Sequence, residues 1–432
     1  MLKNLNIRSG GTLKSILVLM SGTVIAQIMS YLATPFITRL FTPSEIGELG
    51  VFLRVAAFIT AIATARYELT LPLPKNQNHA FQLFRLTLKI TFISLGVLII
   101  IGLGYWIWSG FNISILYYLL LLTSTSFFLI FKNIGTNWSI RNQSFKSISI
   151  SNILGASFTN GMKIIAGIFN VGVIGLIISH FVGSIMGVIV FVKEFFINKK
   201  AVGLEKSNAK MKVLAKNYKD FPQVNLPHAL LDSGRELIIA FFFVEYLDQA
   251  IFGSYDHSVR MLKLPLVIIG ASIGQVFFNK SSISFSNKEG IYPILKKTTL
   301  QLAMLSIVPF SIVFLFGEEL FTLVFGDEWA YSGKISEIIA PWLMINFISS
   351  PISTIPLIIG KQKLFFFLGL ISTSIQVAGF GLLPILVKQE IITIDQLFSI
   401  ISISMSLYLV IVIFIKLKVT KNADNHNLSI EN

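Results

Sequence analysis

Six cations, Arg54, Arg66, Lys163, Arg235, Arg260 and Lys263, and four carboxylates, Glu68, Asp232, Glu236 and Asp256, stand inside long apolar stretches of this sequence. A charge at the centre of a bilayer costs about 2.5–3.5 kcal/mol on insertion scales, so such a residue faces water, a partner or a ligand. Asp256, Arg260 and Lys263 follow i, i+4, i+7 spacing, and Asp232, Arg235 and Glu236 cluster in the same way, so each set makes one polar stripe on a helix. Cations outnumber carboxylates, so a cavity lined by these groups attracts an anion, and guanidinium forks match phosphate oxygens. Arg54, Arg235, Arg260 and Lys263 are therefore the candidate substrate-binding residues. Asp232, Glu236, Asp256 and Glu68 are candidates to carry a coupling proton or sodium ion. The opposing reading is internal pairing, Asp256 with Arg260, Asp232 with Arg235, and Glu68 with Arg66 or Arg85, with no substrate contact.

Other chemistry finds little support. The chain has no Cys, and its 5 His show no metal-ligand spacing such as HExxH, so neither a metal nor a cofactor is expected. No Gly-rich phosphate loop, Ser-His-Asp arrangement or paired carboxylate in a polar loop stands out, which argues against an enzyme. The 432 residues are 54% hydrophobic and 13% charged, whereas soluble domains carry about 25% charged residues. A net charge of +14 with no polar domain to hold it excludes a nucleic-acid binder and calls for an explanation by membrane topology.

A bilayer core of about 30 Å needs about 20 apolar residues per helix. Such runs occur at 13–37, 44–70, 81–108, 112–137, 146–170, 172–196, 226–245, 248–277, 292–316, 335–359, 363–387 and 394–418. The fold class expected is all-α, a polytopic membrane protein of twelve transmembrane helices in two pseudo-symmetric six-helix lobes around a central cavity. With the N-terminus inside, Lys and Arg concentrate in the inner segments, among them Lys3, Arg8, Lys14, Lys132, Arg141, Lys193 and Lys416, while the outer segments hold only Arg39, Lys334 and Lys388. The positive-inside rule then puts both termini in the cytoplasm. At about 1.5 Å per residue, Arg54 lies roughly 15 Å into the second helix, and Arg260 and Arg235 reach a similar depth. Arg66 falls near the cytoplasmic interface, and Lys163 is able to snorkel outward.

The longest polar stretch, 198–225, divides the chain into lobes at 1–197 and 226–432. Within it Met211, Leu214 and Tyr218 follow i, i+3, i+7 among Lys210, Lys212, Lys216 and Lys219. That pattern suits a helix lying on an anionic inner leaflet, or a solvated basic linker. An internal repeat supports the division: Gly47 precedes Arg54 by seven residues, as Gly253 precedes Arg260, at an offset of 206 residues. This is a parallel repeat of the kind found in transporters. Gln27, Asn133, Asn137, Asn152, Asn160, Gln275, Asn346 and Gln376 are able to bind sugar hydroxyls or to link helices. Phe241 to Phe243 and Phe365 to Phe367 read as lipid-facing. Pro35, Pro265, Pro309, Pro351, Pro356 and Pro384 interrupt spans and would permit bending.

Four segments, RLFTPSEIGELGVF at 39–52, RYELTLPLPK at 66–75, IFGSYDHSVRMLKLP at 251–265 and FGDEW at 325–329, occur in order on these spans. With them the chain resembles, over nearly its whole length, Wzx-type O-antigen or oligosaccharide flippases of the polysaccharide transporter branch of the multidrug/oligosaccharidyl-lipid/polysaccharide exporter superfamily. The resemblance implies a cell-membrane transporter that turns undecaprenyl-pyrophosphate-linked oligosaccharide repeat units from the cytoplasmic to the outer leaflet by alternating access. Arg54 and Arg260 would then line its cavity. Expected partners are that lipid-linked glycan, membrane lipid, and a polysaccharide polymerase and chain-length regulator. Two alternatives stay open: a multidrug antiporter of the same superfamily, against which a cationic cavity argues, and a membrane glycan polymerase or ligase, which needs a larger outer loop than 317–334.

Overall fold

The computed structural model describes residues 9–201 and 206–429, so Lys3, Arg8 and linker residues 202–205 lie outside the described residues. Within them every regular element is helical: α1 Ser9–Thr38, α2 Pro43–Ala63, α3 Gln77–Trp108, α4 Ile113–Arg141, α5 Phe145–Ile168, α6 Gly172–Ala201, α7 Asn208–Asn217, α8 Leu226–Tyr246, α9 Gln249–Leu262, α10 Ala271–Ser286, α11 Tyr292–Phe325, α12 Ala330–Ser349, α13 Ile355–Ile358, α14 Gln362–Lys388 and α15 Ile394–Ser429. The twelve sequence-predicted spans map onto α1 to α6, α8, the α9–α10 pair, α11, α12 with its continuation α13, α14 and α15. Among the described residues, 7 helices are long and apolar enough to cross a membrane on length and composition alone. α1, α5, the charged α8, the divided α9–α10 and α12 fall outside that set.

The chain forms two compact units, Met1–Phe41 with Glu48–Leu237, and Thr42–Gly47 with Ile238–Asn432. In the first unit, asparagine side chains start two long helices: Asn76 accepts from the Asn78 N–H, and Asn112 accepts from that of Ser114. α5 lies tightly along α6, with the Ser151 hydroxyl donating to the Gly187 carbonyl at 2.6 Å. α2 ends at Ala63, seven residues before the expected end of its span. Ala65 and Arg66 take left-handed backbone (φ 48° and 63°), and a 3₁₀ turn over Tyr67–Thr70 follows. From the end of α4, Arg141 holds this turn through Nε to Gln77 Oε1 at 3.0 Å, and through Nη1 to the carbonyls of Leu71 at 3.3 Å and of Pro74.

α7 forms where the linker's i, i+3, i+7 pattern lies, but its apolar stripe is turned toward protein and not toward lipid. Met211 and Leu214 are buried, and Leu214 and Tyr218 pack in a cluster with Leu71, Leu83 and Ile134. The Tyr67 hydroxyl donates to the Ala215 carbonyl at 3.0 Å, and Arg85 donates to Asn208 Oδ1 at 3.2 Å. Lys210, Lys212, Lys216 and Lys219 remain exposed. The expected helix therefore exists, but as a strut on the α2–α3 turn with its cations outward.

The second unit is built on an aromatic stack in which Tyr255 lies 5.2 Å from Phe243, 5.1 Å from Phe380 and 5.7 Å from Phe398 between ring centroids. Phe243 is fully buried and belongs to this core, whereas Phe241 and Phe365 to Phe367 are exposed. Three of the six prolines that interrupt spans, Pro265, Pro351 and Pro356, sit at breaks. After Pro265 the helix widens into a π turn over Leu266–Gly270, and around Pro351 α12 stops and α13 restarts. Proline removes a backbone donor, so the hydrogen-bond ladder resets there. Pro35, Pro309 and Pro384 stay inside α1, α11 and α14.

Candidate functional site

In the first unit α2 and α8 bring together Arg54, Arg235, Asp232 and Glu236. Glu236 bridges two guanidinium groups, with Oε1 accepting from Arg235 Nη2 at 3.0 Å and Oε2 lying 3.7 Å from Arg54 Nη2. Arg54 also donates to its own helix at the Gly50 carbonyl, 3.3 Å away. On α8, one turn back, Asp232 lies 3.9 Å from Arg235 and 3.8 Å from His228 Nδ1. The helices touch here, since a methyl group on Gly234 would meet the Phe58 ring at 3.8 Å. The pairing expected of Asp232 with Arg235 is therefore present, and Glu236 extends it to Arg54.

The pairs are open to solvent. The Asp232 and Glu236 side chains are 62% and 42% exposed, against 17% for Arg54 and 22% for Arg235. Exposed carboxylates over half-buried guanidinium groups hold those forks in place at little electrostatic cost. An incoming dianion competes with them directly, because it offers more acceptor oxygens to the same donors.

In the second unit α9 carries the other stripe. Arg260 Nη2 lies 3.5 Å from Asp256 Oδ2, one turn earlier, and Lys263 follows on the same side. Arg260 is exposed and Asp256 half-buried. The next residue inward, His257, is fully buried against Phe325 at 4.5 Å and Trp329 at 4.6 Å between ring centroids. Residues of the 251–265 and 325–329 segments thus pack on each other, and that packing fixes the face of α9 that presents Arg260.

Glu68 and Arg66 belong elsewhere. Both lie beyond the end of α2, in the turn clasped by Arg141, where Glu68 is buried, accepts from the Thr64 hydroxyl and pairs with Arg66 at 3.4 Å. Burial raises the Glu68 carboxyl above the usual carboxylate range, against the lowering effects of the Thr64 hydrogen bond and the Arg66 charge. Lys163, for which snorkelling was open, is buried on α5.

Three further charges in the described helices escaped the sequence reading. Lys132 lies inside α4, nine residues before its end, over the α5–α6 seam near Gly155 and Gly187. Glu194 on α6 accepts from the Ser139 hydroxyl at 2.7 Å, while its other oxygen is buried without a hydrogen bond among the described residues. Lys416, 4% exposed on α15, donates to the Ser349 carbonyl and hydroxyl at 3.1 and 3.2 Å. Lys132 and Lys416 stand near the inner ends of the apolar runs 112–137 and 394–418, which reads as an inner-side position, whereas Lys416 is buried and Lys132 half-buried against neighbouring helices.

Among the span amides, two link helices: Asn160 to Ser30 Oγ on α1 at 3.0 Å and Asn152 to Thr23 at 3.4 Å. Gln376 and Asn137 bond within their own helices.

A family model described as a polysaccharide biosynthesis protein matches residues 36–333. Among solved structures, the inward-facing conformation of a multidrug resistance MATE family transporter of the MOP superfamily is similar at a TM-score of 0.60 and 15% identity, over 93% of this chain and 99% of that one. MATE in complex with MaD3S gives a TM-score of 0.55 and 14% identity, over 95% and 97%. MATE in the straight conformation gives 0.53 and 14% over the same shares. These likenesses give the chain the MATE-like fold. No curated protein sequence matches it.

Proposed function

Because the chain belongs to the polysaccharide biosynthesis protein family, we propose that it carries an undecaprenyl-pyrophosphate-linked oligosaccharide from the cytoplasmic to the outer leaflet of the cell membrane, for surface polysaccharide assembly. Family and fold point to a multi-pass membrane transporter and not to an enzyme. The observation that carries the finer reading is the pair of guanidinium groups, Arg54 and Arg235, held by the half-exposed Glu236. A pyrophosphate exchanges for that carboxylate: its oxygens take the guanidinium donors on entry, and Glu236 reclaims them on release. In the second unit, Arg260 on α9 and Lys263 just after it offer donors of the same kind. The polyprenyl tail stays in lipid, so only headgroup and sugars need a polar route, and alternating access exposes that route to one side at a time. Asp232, Glu236 and Asp256 are the carboxylates positioned to exchange a proton or sodium ion as these pairs open; Glu68, in its separate turn, would act on α2 from its end. The glycan delivered outside passes to a polymerase and its chain-length regulator.

The test is deletion of the gene in its host, followed by analysis of lipid-linked sugars. Complete repeat units accumulating on the inner leaflet support a flippase. Unpolymerised units displayed outside would assign a polymerase, and unchanged lipid-linked sugars with altered sensitivity to organic cations would assign a multidrug antiporter.

A further inference from the structure

The two helix breaks of the second unit lie side by side. Around them opens a cleft of about 840 Å³, between the π turn with α10 on one wall and the α12–α13 break on the other. Gln275 and Asn279, one turn apart on α10, project there with Phe278 between them, opposite Ser350, Ser353 and Thr354. Gln275, Asn279 and Phe278 are exposed.

Neither amide hydrogen-bonds to another described residue, in contrast to Asn152 and Asn160, and the Thr354 hydroxyl is likewise without a partner among them. Polar groups at membrane depth are tolerated where they meet each other or a water-filled space, and irregular backbone likewise only where it lines a cavity or is buried in protein. Two unpaired amides beside two broken helices therefore belong to a wet cleft.

We propose that this cleft binds the saccharide portion of the substrate. The amides each offer a donor and an acceptor to neighbouring sugar hydroxyls, the serine and threonine hydroxyls do so from the opposite wall, and the Phe278 ring offers an apolar surface to the sugar's C–H face. Among the described residues no charged side chain lines the cleft, so it suits a neutral, hydroxyl-rich ligand and not the pyrophosphate. The volume lies within the range of sites for drug-sized ligands, enough for a short oligosaccharide, and the lining is apolar with a few fixed polar groups, as in such sites generally. Asn279 lies about 10 Å from the α10 end, at seven residues, so the cleft is near the side that carries Lys288, Lys296 and Lys297 and that the charge distribution assigns to the cytoplasm. The inference rests on the reading of the protein as a carrier of a lipid-linked glycan, and assigns to its sugars a subsite separate from the arginines.

The natural chain has no Cys, so Asn279→Cys and Gln275→Cys each introduce a sole thiol. Membranes carrying either variant are treated with a charged methanethiosulfonate reagent, which reaches thiols in water and not those in lipid. One set comes from the glycan-producing host, and the other from a strain lacking the glycosyl-phosphate transferase that starts the lipid-linked sugar. Modification is expected in the glycan-free membranes, and about tenfold slower modification where the glycan is present at about ten times its Kd. No modification in either set would show a dry cleft and overturn the inference. Equal rates, in a host where gene deletion does cause inner-leaflet accumulation, would reject the sugar subsite while leaving the flippase reading standing. Equal rates without such accumulation would remove both.

Discussion

Gly47 and Gly253 pack backbone to backbone: a methyl group added to Gly47 would stand 2.1 Å from the Gln249 carbonyl oxygen, and one added to Gly253 would stand 1.9 Å from that of Pro43. All four residues lie in the second unit. Pro43 and Gln249 are separated by the same 206 residues as the two glycines, so the contact is reciprocal: each repeat copy presses its glycine on the first turn of the other. Glycine is required because the facing atoms are backbone carbonyls, which cannot rotate aside.

Gly47→Ala and Gly253→Ala are each expected to destabilise the protein by about 1–3 kcal/mol, the range for overpacking a close contact. The double variant should cost less than the sum, because the first methyl already separates the turns. Gly96→Ala and Gly369→Ala, which lie inside α3 and α14 with open space around them, serve as controls and should not destabilise the protein in thermal unfolding in detergent, gaining up to about 1 kcal/mol from helix propensity.

Arg54→Ala and Arg260→Ala are each expected to reduce surface polysaccharide by about tenfold or more at unchanged protein level, since losing a charge-assisted contact costs about 1.5–3 kcal/mol. Lysine at either position should restore part of the loss, because it supplies the charge without the fork. Glu236→Gln separates binding from structure. It leaves the exposed pair's stability within about 1 kcal/mol, yet removes the competitor for Arg54 and Arg235, so pyrophosphate-lipid binding should tighten. Full export in both arginine variants would remove these residues from the site.

Much of this was legible in the sequence because lipid imposes it. A backbone without water must be helical, so apolar length located all twelve spans, although several helices stop short of or run past the stretches that mark them. The Gly47-to-Arg54 and Gly253-to-Arg260 spacings marked a repeat whose glycines do meet. Pairing was less legible. That Glu236 holds both Arg235 and Arg54 depends on how α2 and α8 pack, which spacing on one helix does not contain. The end of α2 was also less legible, because the apolar run reads on to residue 70 while the chain turns at Ala65 and Arg66 in left-handed backbone that neither residue type announces. Met211 and Leu214 had the right period for a membrane surface, and periodicity cannot say whether an apolar face meets lipid or protein.

Glu68 sits outside the spans and has a carboxyl raised by burial. With the folded-state pKa above the unfolded one, its contribution is fully present below the unfolded value and is lost as pH rises through the folded value. Glu68→Gln resembles the protonated form, so its stability should match the wild type in acid and exceed it increasingly as pH rises through that window. Parallel pH profiles of thermal unfolding for the two proteins would show that Arg66 and Thr64 offset the burial.

Lys416 ends the α12 helix from outside. The last carbonyls of a helix lack intrahelical donors and carry the negative end of its dipole, and here the Lys416 ammonium meets the terminal Ser349 at both carbonyl and hydroxyl. α12 stops at that point and the chain bends around Pro351 before α13, so the buried cation replaces bonds that a continuing helix would have made. Lys416→Met keeps most of the side-chain volume and removes the donor, and is expected to cost about 1–3 kcal/mol. Lys416→Gln, with a shorter donor, should recover part of it. Lys418→Met, at an exposed position on the same helix, should change stability by less than about 0.5 kcal/mol. Hydrogen exchange at residues 350–354 discriminates further, because loss of the cap should speed exchange there while leaving α14 untouched. A Lys416→Met protein as stable as the wild type, with unchanged exchange at the break, would mean that the ammonium costs as much to bury as its two hydrogen bonds return.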